Sequence, residues 1–326
     1  MSEPGVDPPE AALVSEYEAL RDRVGAYRLN RDVVVVRGRD AADYLQGQCS
    51  QDVGALGVGE HAESLLLAPE GKLVALLRVL RSADDEFVLD VAGGFGATVV
   101  DRLNRFKLRS KVQIEPRDWS CIALRGDQVP DALHLITEEP TSGERTWMLA
   151  VAVNGTLGAD LLGVDPEAAL PDHVEWCGSG AWEALRVEAG IPEMGAELDN
   201  KTIPAEAHLL ERTVNFTKGC YTGQELVARL DARGNKVARR LCGIIIDPPV
   251  ALDLAQLIGA PIFVPGGEKV LGSCTSAAWC PGVGGPAALG YLHRSVELPA
   301  DLEVRLDRAD ASASVLGAHG RTVPLV

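Results

Sequence analysis

Residues 215–229 read N-F-T-K-G-C-Y-T-G-Q-E-L-V-A-R. A lysine, a cysteine, a tyrosine and a glutamine crowd around two glycines, in a chain otherwise rich in Ala, Val, Leu and Gly. Thr222-Gly223-Gln224-Glu225 fits T-x-x-E directly before the apolar run Leu226, Val227, Ala228. That pattern predicts a capping box, in which the Thr hydroxyl takes an orphan helix N–H and the Glu reaches back. It accounts for Thr222 and Glu225, with Gly219 and Gly223 as turn residues. It gives no reason for Lys218, Cys220, Tyr221 or Gln224. Cys220 stands two residues before the expected cap, near the positive end of the helix dipole, with Lys218 as a second positive neighbour. Both influences favour a thiolate, whereas a lone cysteine is otherwise a small buried hydrophobe. A cysteine nucleophile also needs a base. His208 is the nearest histidine, and the fold would have to bring it, His173 or His293 close.

Working outward, 326 residues exceed one small core and predict two or three domains. Hydrophobic residues at 46% and charged residues at 24% are ordinary for a globular chain. No apolar run approaches the ~18 residues of a membrane span. The start, M-S-E-P-G-V-D-P-P-E, lacks the basic and apolar regions of a signal peptide, so a cytoplasmic protein is expected. Seven scattered cysteines form no C-x-x-C pair, which predicts neither a disulfide framework nor a metal site.

The net charge of −16 argues against general affinity for nucleic acid or anionic membrane. Residues 201–240 nevertheless carry eight basic side chains against four acidic ones, a local balance of +4. A second basic run, R-L-N-R-F-K-L-R-S-K, covers 102–111. Either cluster reads as a solvated face or as an anion site on an acidic protein, the latter suited to a small polyanion.

Residues 1–12 read as disordered and 16–24 as a short helix. Strands are expected at Y-R-L (27–29), 33–36, 64–68, 72–80, 86–91 and 112–114, with helices over 41–53 and 97–106. The pattern repeats more weakly with I-A-L, a helix-like P-D-A-L-H-L (130–135) and W-M-L-A-V-A-V, before a helix at 182–188. Beyond Arg240, short apolar strands between Pro/Gly turns predict a small β-barrel. The expected organisation is a tail and short helix (1–25), a two-lobed α+β region (26–239) and the barrel (240–326).

K-G-C-Y-T-G-Q-E-L-V-A-R, followed by G-N-K-V-A-R-R-L, resembles the signature of the YgfZ-type folate-binding proteins, relatives of the glycine-cleavage T-protein that support iron–sulfur enzymes. V-V-V-R-G-R-D-A-A-D-Y-L-Q-G-Q-C-S-Q-D-V is similar to that family's N-terminal strand and helix, and R-F-K-L-R-S-K-V (105–112) to a segment typical of the YgfZ branch. R-V-E-A-G-I-P and E-L-D-N-K-T-I-P-A-E (186–206) are similar to the T-protein segment before the motif, and G-S-C-T-S-A fits its C-terminal barrel. The resemblance implies a three-lobed α+β T-protein-like fold with tetrahydrofolate, possibly polyglutamylated, in a central cavity. It implies site residues Lys218, Gly219, Cys220, Tyr221, Thr222, Gly223, Gln224, Glu225 and Arg229, with Arg186 and Glu206 lining the cavity.

One departure shapes the functional expectation. T-proteins carry a key aspartate after an Asn-Ala-Gly turn. Here D-V-A-G-G-F-G-A-T puts Thr98 in that place, with Asp101 about one helical turn further on. The expectation is therefore a tetrahydrofolate-binding accessory protein that supports assembly or repair of iron–sulfur enzymes and, indirectly, tRNA modification. Its partners would be folate and iron–sulfur enzymes or cluster-assembly proteins. A folate-dependent aminomethyltransferase and a Cys220-dependent transferase or hydrolase are the alternatives.

Overall fold

The structure, a computed structural model, describes residues 11–133, 145–153, 156–170, 174–247, 253–306 and 316–323. The chain begins with α1 (Ala11–Asp22), so this helix starts earlier than its sequence suggests. The tail before it lies outside the described residues. β1 (Gly25–Leu29) and β2 (Arg31–Arg37) follow, then α2 (Ala41–Gln48). α2 stops short of the expected Val53, because Cys49 turns into an extended bridge with Leu66.

β3 (His61–Leu67), β4 (Leu73–Ala83) and β5 (Glu86–Ala92) form a meander. α3 (Gly96–Phe106) and β6 (Gln113–Arg117) complete this half, a five-stranded sheet in the order β3-β4-β5-β2-β6. β7 (Ser120–Arg125), α4 (Val129–Ala132), β8 (Trp147–Val153), β9 (Thr156–Gly163) and β10 (Glu175–Trp176) build a second sheet, in the order β10-β1-β7-β9-β8. His134 and Leu135, expected in the helix now seen as α4, lie outside the described residues.

The four consecutive valines of β2 show why both sheets hold. Val34 and Val36 pack under α2 and α3 with Tyr44, Leu45, Val99 and Leu103. Val33 and Val35 face the second sheet, meeting Cys121, Trp147, Leu149 and Leu162. A strand buried on both faces reads as a continuous apolar run rather than an alternating one.

A chain of buried charges crosses the same inter-sheet contact. Arg78 lies opposite Asp90 in the β4–β5 register and donates to its carboxylate through Nε (2.7 Å) and Nη2. Its other nitrogen reaches Asp160 on β9, where Arg125 Nη1 also lies 2.7 Å from the carboxylate. Arg31 closes the far side of Asp90. Nothing in the local sequence pattern marks this network.

α5 (Ser179–Glu188), α6 (Leu210–Thr213) and α7 (Gln224–Asp231) connect these sheets to the barrel. The barrel comprises β11 (Arg239–Asp247), β12 (Pro261–Phe263), β13 (Gly272–Cys280), β14 (Gly285–His293), β15 (Asp301–Leu306) and β16 (Leu316–Val323). It closes in the order β11-β14-β13-β12-β15-β16. β14 alternates between two cores: Ala288 and Leu292 point into the barrel, while Ala287, Leu289 and Tyr291 point outward. That outward row joins Tyr17, Leu65, Leu67, Ala184, Met194, Leu209 and Tyr221 in one cluster, so α1, the first sheet, α5 and the barrel share a core.

Candidate functional site

The motif is held from below by α2. Asn215 starts it: its N–H bonds the Ser50 carbonyl (3.1 Å), and its Oδ1 accepts from the Thr217 and Lys218 N–H groups at 2.9 and 3.0 Å. This turn sends the Lys218 side chain inward to the C-terminal end of α2. There Nζ donates to three carbonyls, those of Gln46, Cys49 and Gln51, at 2.8, 2.8 and 2.7 Å. An ammonium has three donors, and all are spent. It faces no carboxylate at bonding distance, and burial pushes its pKa down. Lys218 is thus a capping cation for a helix end whose carbonyls lack partners.

The expected capping box does not form. The residue preceding α7 is Gly223, at φ +84°, with no side-chain cap. Thr222 uses its N–H on the Gly47 carbonyl (3.1 Å) instead, and Gln224 Oε1 reaches back to the Tyr221 N–H (3.3 Å). Close packing makes the glycine necessary. A Cβ at Gly223 would lie 2.6 Å from both the Ala68 carbonyl oxygen and Leu67 Cβ, in a backbone region L-residues rarely enter. Gly71, at φ +82° in the β3–β4 turn, is the reciprocal partner: its Cβ would meet Leu226 Cβ at 2.5 Å and the Gly223 carbonyl at 3.2 Å. Tyr221 is buried in the shared core, its hydroxyl pushed up to about 12 by burial. Glu225 and Arg229 are exposed on α7.

What remains is Cys220. It is the exposed one of the seven cysteines, and Gly219 beside it has nothing within 4 Å of where a Cβ would stand. The other six are buried, and burial raises each thiol: Cys49 to about 11, and Cys121, Cys177, Cys274 and Cys280 to about 12, with Cys242 shifted the same way. Native protein treated with iodoacetamide is therefore expected to take up one equivalent, all of it on Cys220, as peptide mapping would show. Labelling of a second cysteine before unfolding would contradict this arrangement.

Residues 7–159 match the GCVT N-terminal domain family. Over 208 residues the chain is 30% identical to an uncharacterized protein of Haemophilus influenzae, covering 62% of this chain and 66% of that one. Over 215 residues it is 31% identical to the tRNA-modifying protein YgfZ of Yersinia pestis, covering 62% of this chain and 65% of the relative. Over these stretches the chain is similar to YgfZ-type proteins of the GCVT superfamily. The matched stretch spans just under two thirds of either relative's own length. The glycine cleavage system aminomethyltransferase T from Bartonella henselae superposes with a TM-score of 0.78, over 99% of this chain and 91% of that one, at 20% identity. That likeness concerns the fold, which is α+β and T-protein-like with a C-terminal barrel.

The two outlying candidates serve the junction with the barrel. Arg186 is buried on α5 and bonds Glu197 (2.9 Å), Ser276 of β13 (2.6 Å), Glu183 and the Ile191 carbonyl. Glu197, which sequence reading passed over, is buried and also accepts from Thr275 and Ser276. Glu206 pairs with Arg239 at 3.1 Å, and Arg239 lies over the Tyr291 ring. Thr98 and Asp101 are exposed on α3. His208 bonds the Leu241 carbonyl and His293 bonds Ser295, so neither is committed to Cys220. His173 lies outside the described residues.

Sequence reading also missed an aromatic platform. Tyr27 of β1 stacks on Trp182 of α5, with centroids 4.9 Å apart and planes 10° off parallel. Both are half-buried, and Arg125 lies 5.4 Å from the Trp182 ring. Only the fold unites positions 155 residues apart in sequence.

Proposed function

We propose that the chain is a tetrahydrofolate-binding accessory protein that supports assembly or repair of iron–sulfur enzymes, with tRNA modification depending on it indirectly. The observation that carries this reading is the motif's division of labour. Lys218, Tyr221, Gly223 and Gln224 are consumed in holding α2, the shared core and the β3–β4 turn, while Cys220 offers its thiol to solvent. A thiol so presented suits transient contact or a mixed disulfide with another protein. It does not suit resident cluster ligation, which normally takes four ligands.

The residues present fit a folate in two respects. The Tyr27–Trp182 stack offers a flat apolar face next to cationic Arg125. Of the eight basic residues in 201–240, Lys218, Arg212, Arg239 and Arg240 are engaged, the last three with Glu63, Glu206 and the Val296 carbonyl. Lys201, Arg229, Arg233 and Lys236 are exposed and, among the described residues, carry no ion-pair partner. They suit the carboxylates of a polyglutamate tail. The transferase alternative lacks its agent, since Thr98 occupies the expected place and buried Asp90 is tied to Arg31 and Arg78.

Calorimetric titration with tetrahydrofolate tests the reading. Saturable binding is expected, tighter for the polyglutamate than for the monoglutamate, and weakened by reversing Arg229 and Arg233 to Glu. Absence of binding by the wild type would sink it.

A further inference from the structure

Leu108 is the most conspicuous unexplained residue. Its side chain is 90% exposed, and its backbone has φ +45°, the left-handed region that costs a non-glycine residue roughly 1 kcal/mol. The turn presenting it is fixed at both ends. The Ser110 N–H bonds the Lys107 carbonyl (2.9 Å), the Lys111 N–H bonds Asp40 Oδ2 (2.7 Å), and the Lys111 carbonyl sits where a Cβ of Gly38 would fall. A strained backbone that displays an apolar side chain to solvent stabilises nothing within this chain. Beside it lies an open groove of about 810 Å³, lined by Asp40, Asp43, Tyr44, Leu108, Arg109 and Ser110.

We propose that this face, from the Leu108 turn across α2 to Cys220, docks a partner protein that offers an apolar socket rimmed by carboxylates. Charge selects the partner's rim: Asp40 and Asp43 lie on the α2 side of the groove, Asp40 accepting from the Lys111 N–H, while the Leu108 side is basic. Arg105, Arg109 and Lys111 are exposed, and no acidic residue occurs from Arg102 to Ile114, on a chain of net charge −16. A nucleic acid is disfavoured because the chain as a whole repels a polyanion and Leu108 has nothing to offer phosphate. Geometry brings Cys220 into the same footprint. One end of α2 lines the groove, and the other carries the carbonyls of Gln46 and Gly47 that hold Lys218 and Thr222. An eight-residue helix is about 12 Å long, and a standard interface of ~800 Å² per partner is roughly 30 Å across. A partner of that size seated on Leu108 has the reach to contact the thiol as well, and the proposal includes that contact.

This inference rests on the accessory role proposed above and names the chemistry of its partner. The test places a photo-reactive phenylalanine at position 108 and, in a separate preparation, a benzophenone maleimide on Cys220, each irradiated with soluble extract of the source cells. Both positions are expected to trap the same protein, with an acidic surface, and trapping at Cys220 should fall about tenfold or more in L108D and in R109E. Tetrahydrofolate binding by those two variants should remain at the wild-type level, which separates failure here from failure of the folate reading. Different proteins at the two positions, no trapped protein, a basic partner, or unchanged trapping in L108D would each overturn the proposal. L108G supplies a control on the fold: its Tm should equal or exceed that of the wild type, and a fall of several degrees would show that Leu108 serves the fold instead.

Discussion

Arg78→Ala is expected to destabilise the protein by about 3–5 kcal/mol, the usual cost of removing one partner from a buried ion pair. Arg78 stands between two carboxylates that have almost no access to water, with side-chain exposures of 1% for Asp90 and 3% for Asp160. Deleting it leaves Asp90 with Arg31 and Asp160 with Arg125, each carboxylate having lost a donor across the contact of two sheets. Against a typical total of 5–15 kcal/mol, that loss is large enough to appear directly in a urea midpoint.

Acid should reveal the same network. Burial alone would raise the Asp160 pKa, but Arg125 and Arg78 overcome it and bring the carboxyl down to about 2. An unfolded aspartate titrates near 3.9, so this contribution is fully present above about pH 4 and is lost as pH falls through about 2. In Arg78→Ala the folded-state value rises towards the unfolded one, and the acid-unfolding midpoint is expected to move up. A variant with wild-type urea and acid midpoints would mean the network carries no stability.

The second large effect is expected from Lys218→Met, at about 2–3 kcal/mol. The change deletes three charge-assisted bonds and leaves three carbonyls to find water at a half-buried position. Lys218→Arg should rescue little, because a planar guanidinium fork cannot aim three donors at carbonyls converging on one point. The consequence should also reach Cys220, two residues away: with the α2 anchor gone, its iodoacetamide reactivity should change in Lys218→Met and in Lys218→Arg alike. Equal stability and equal labelling in both variants would contradict the anchoring role.

Much of the architecture was legible in the sequence, because strand and helix periods are local. The valine run of β2, the helix at 97–106 and the short strands past Arg240 all carried their own signal. The site was legible only as a motif. T-x-x-E before an apolar run has a sound local meaning, yet it lost to packing, since the Ala68 carbonyl forces the turn at Gly223. The sequence presents Lys218 as an influence on its neighbour Cys220, but its partners lie 167–172 residues earlier in the chain. Long-range pairing also explains why Arg78 with Asp160, Arg186 with Ser276, and Tyr27 with Trp182 gave no warning. No local window contains both members of any such contact.

The core shared by α1, the first sheet, α5 and the outer wall of the barrel bears on how such a protein can be rebuilt. Its lobes are not interchangeable parts. Cutting the chain before β11 would strip Leu241, Ala278, Cys280, Ala287, Leu289 and Tyr291 from a single apolar cluster and leave the remaining half wet. Recombination between distant relatives at that seam would have to exchange both sides together. The fold is inherited as a unit, and variation is free mainly where it touches neither the core nor the face that presents the thiol.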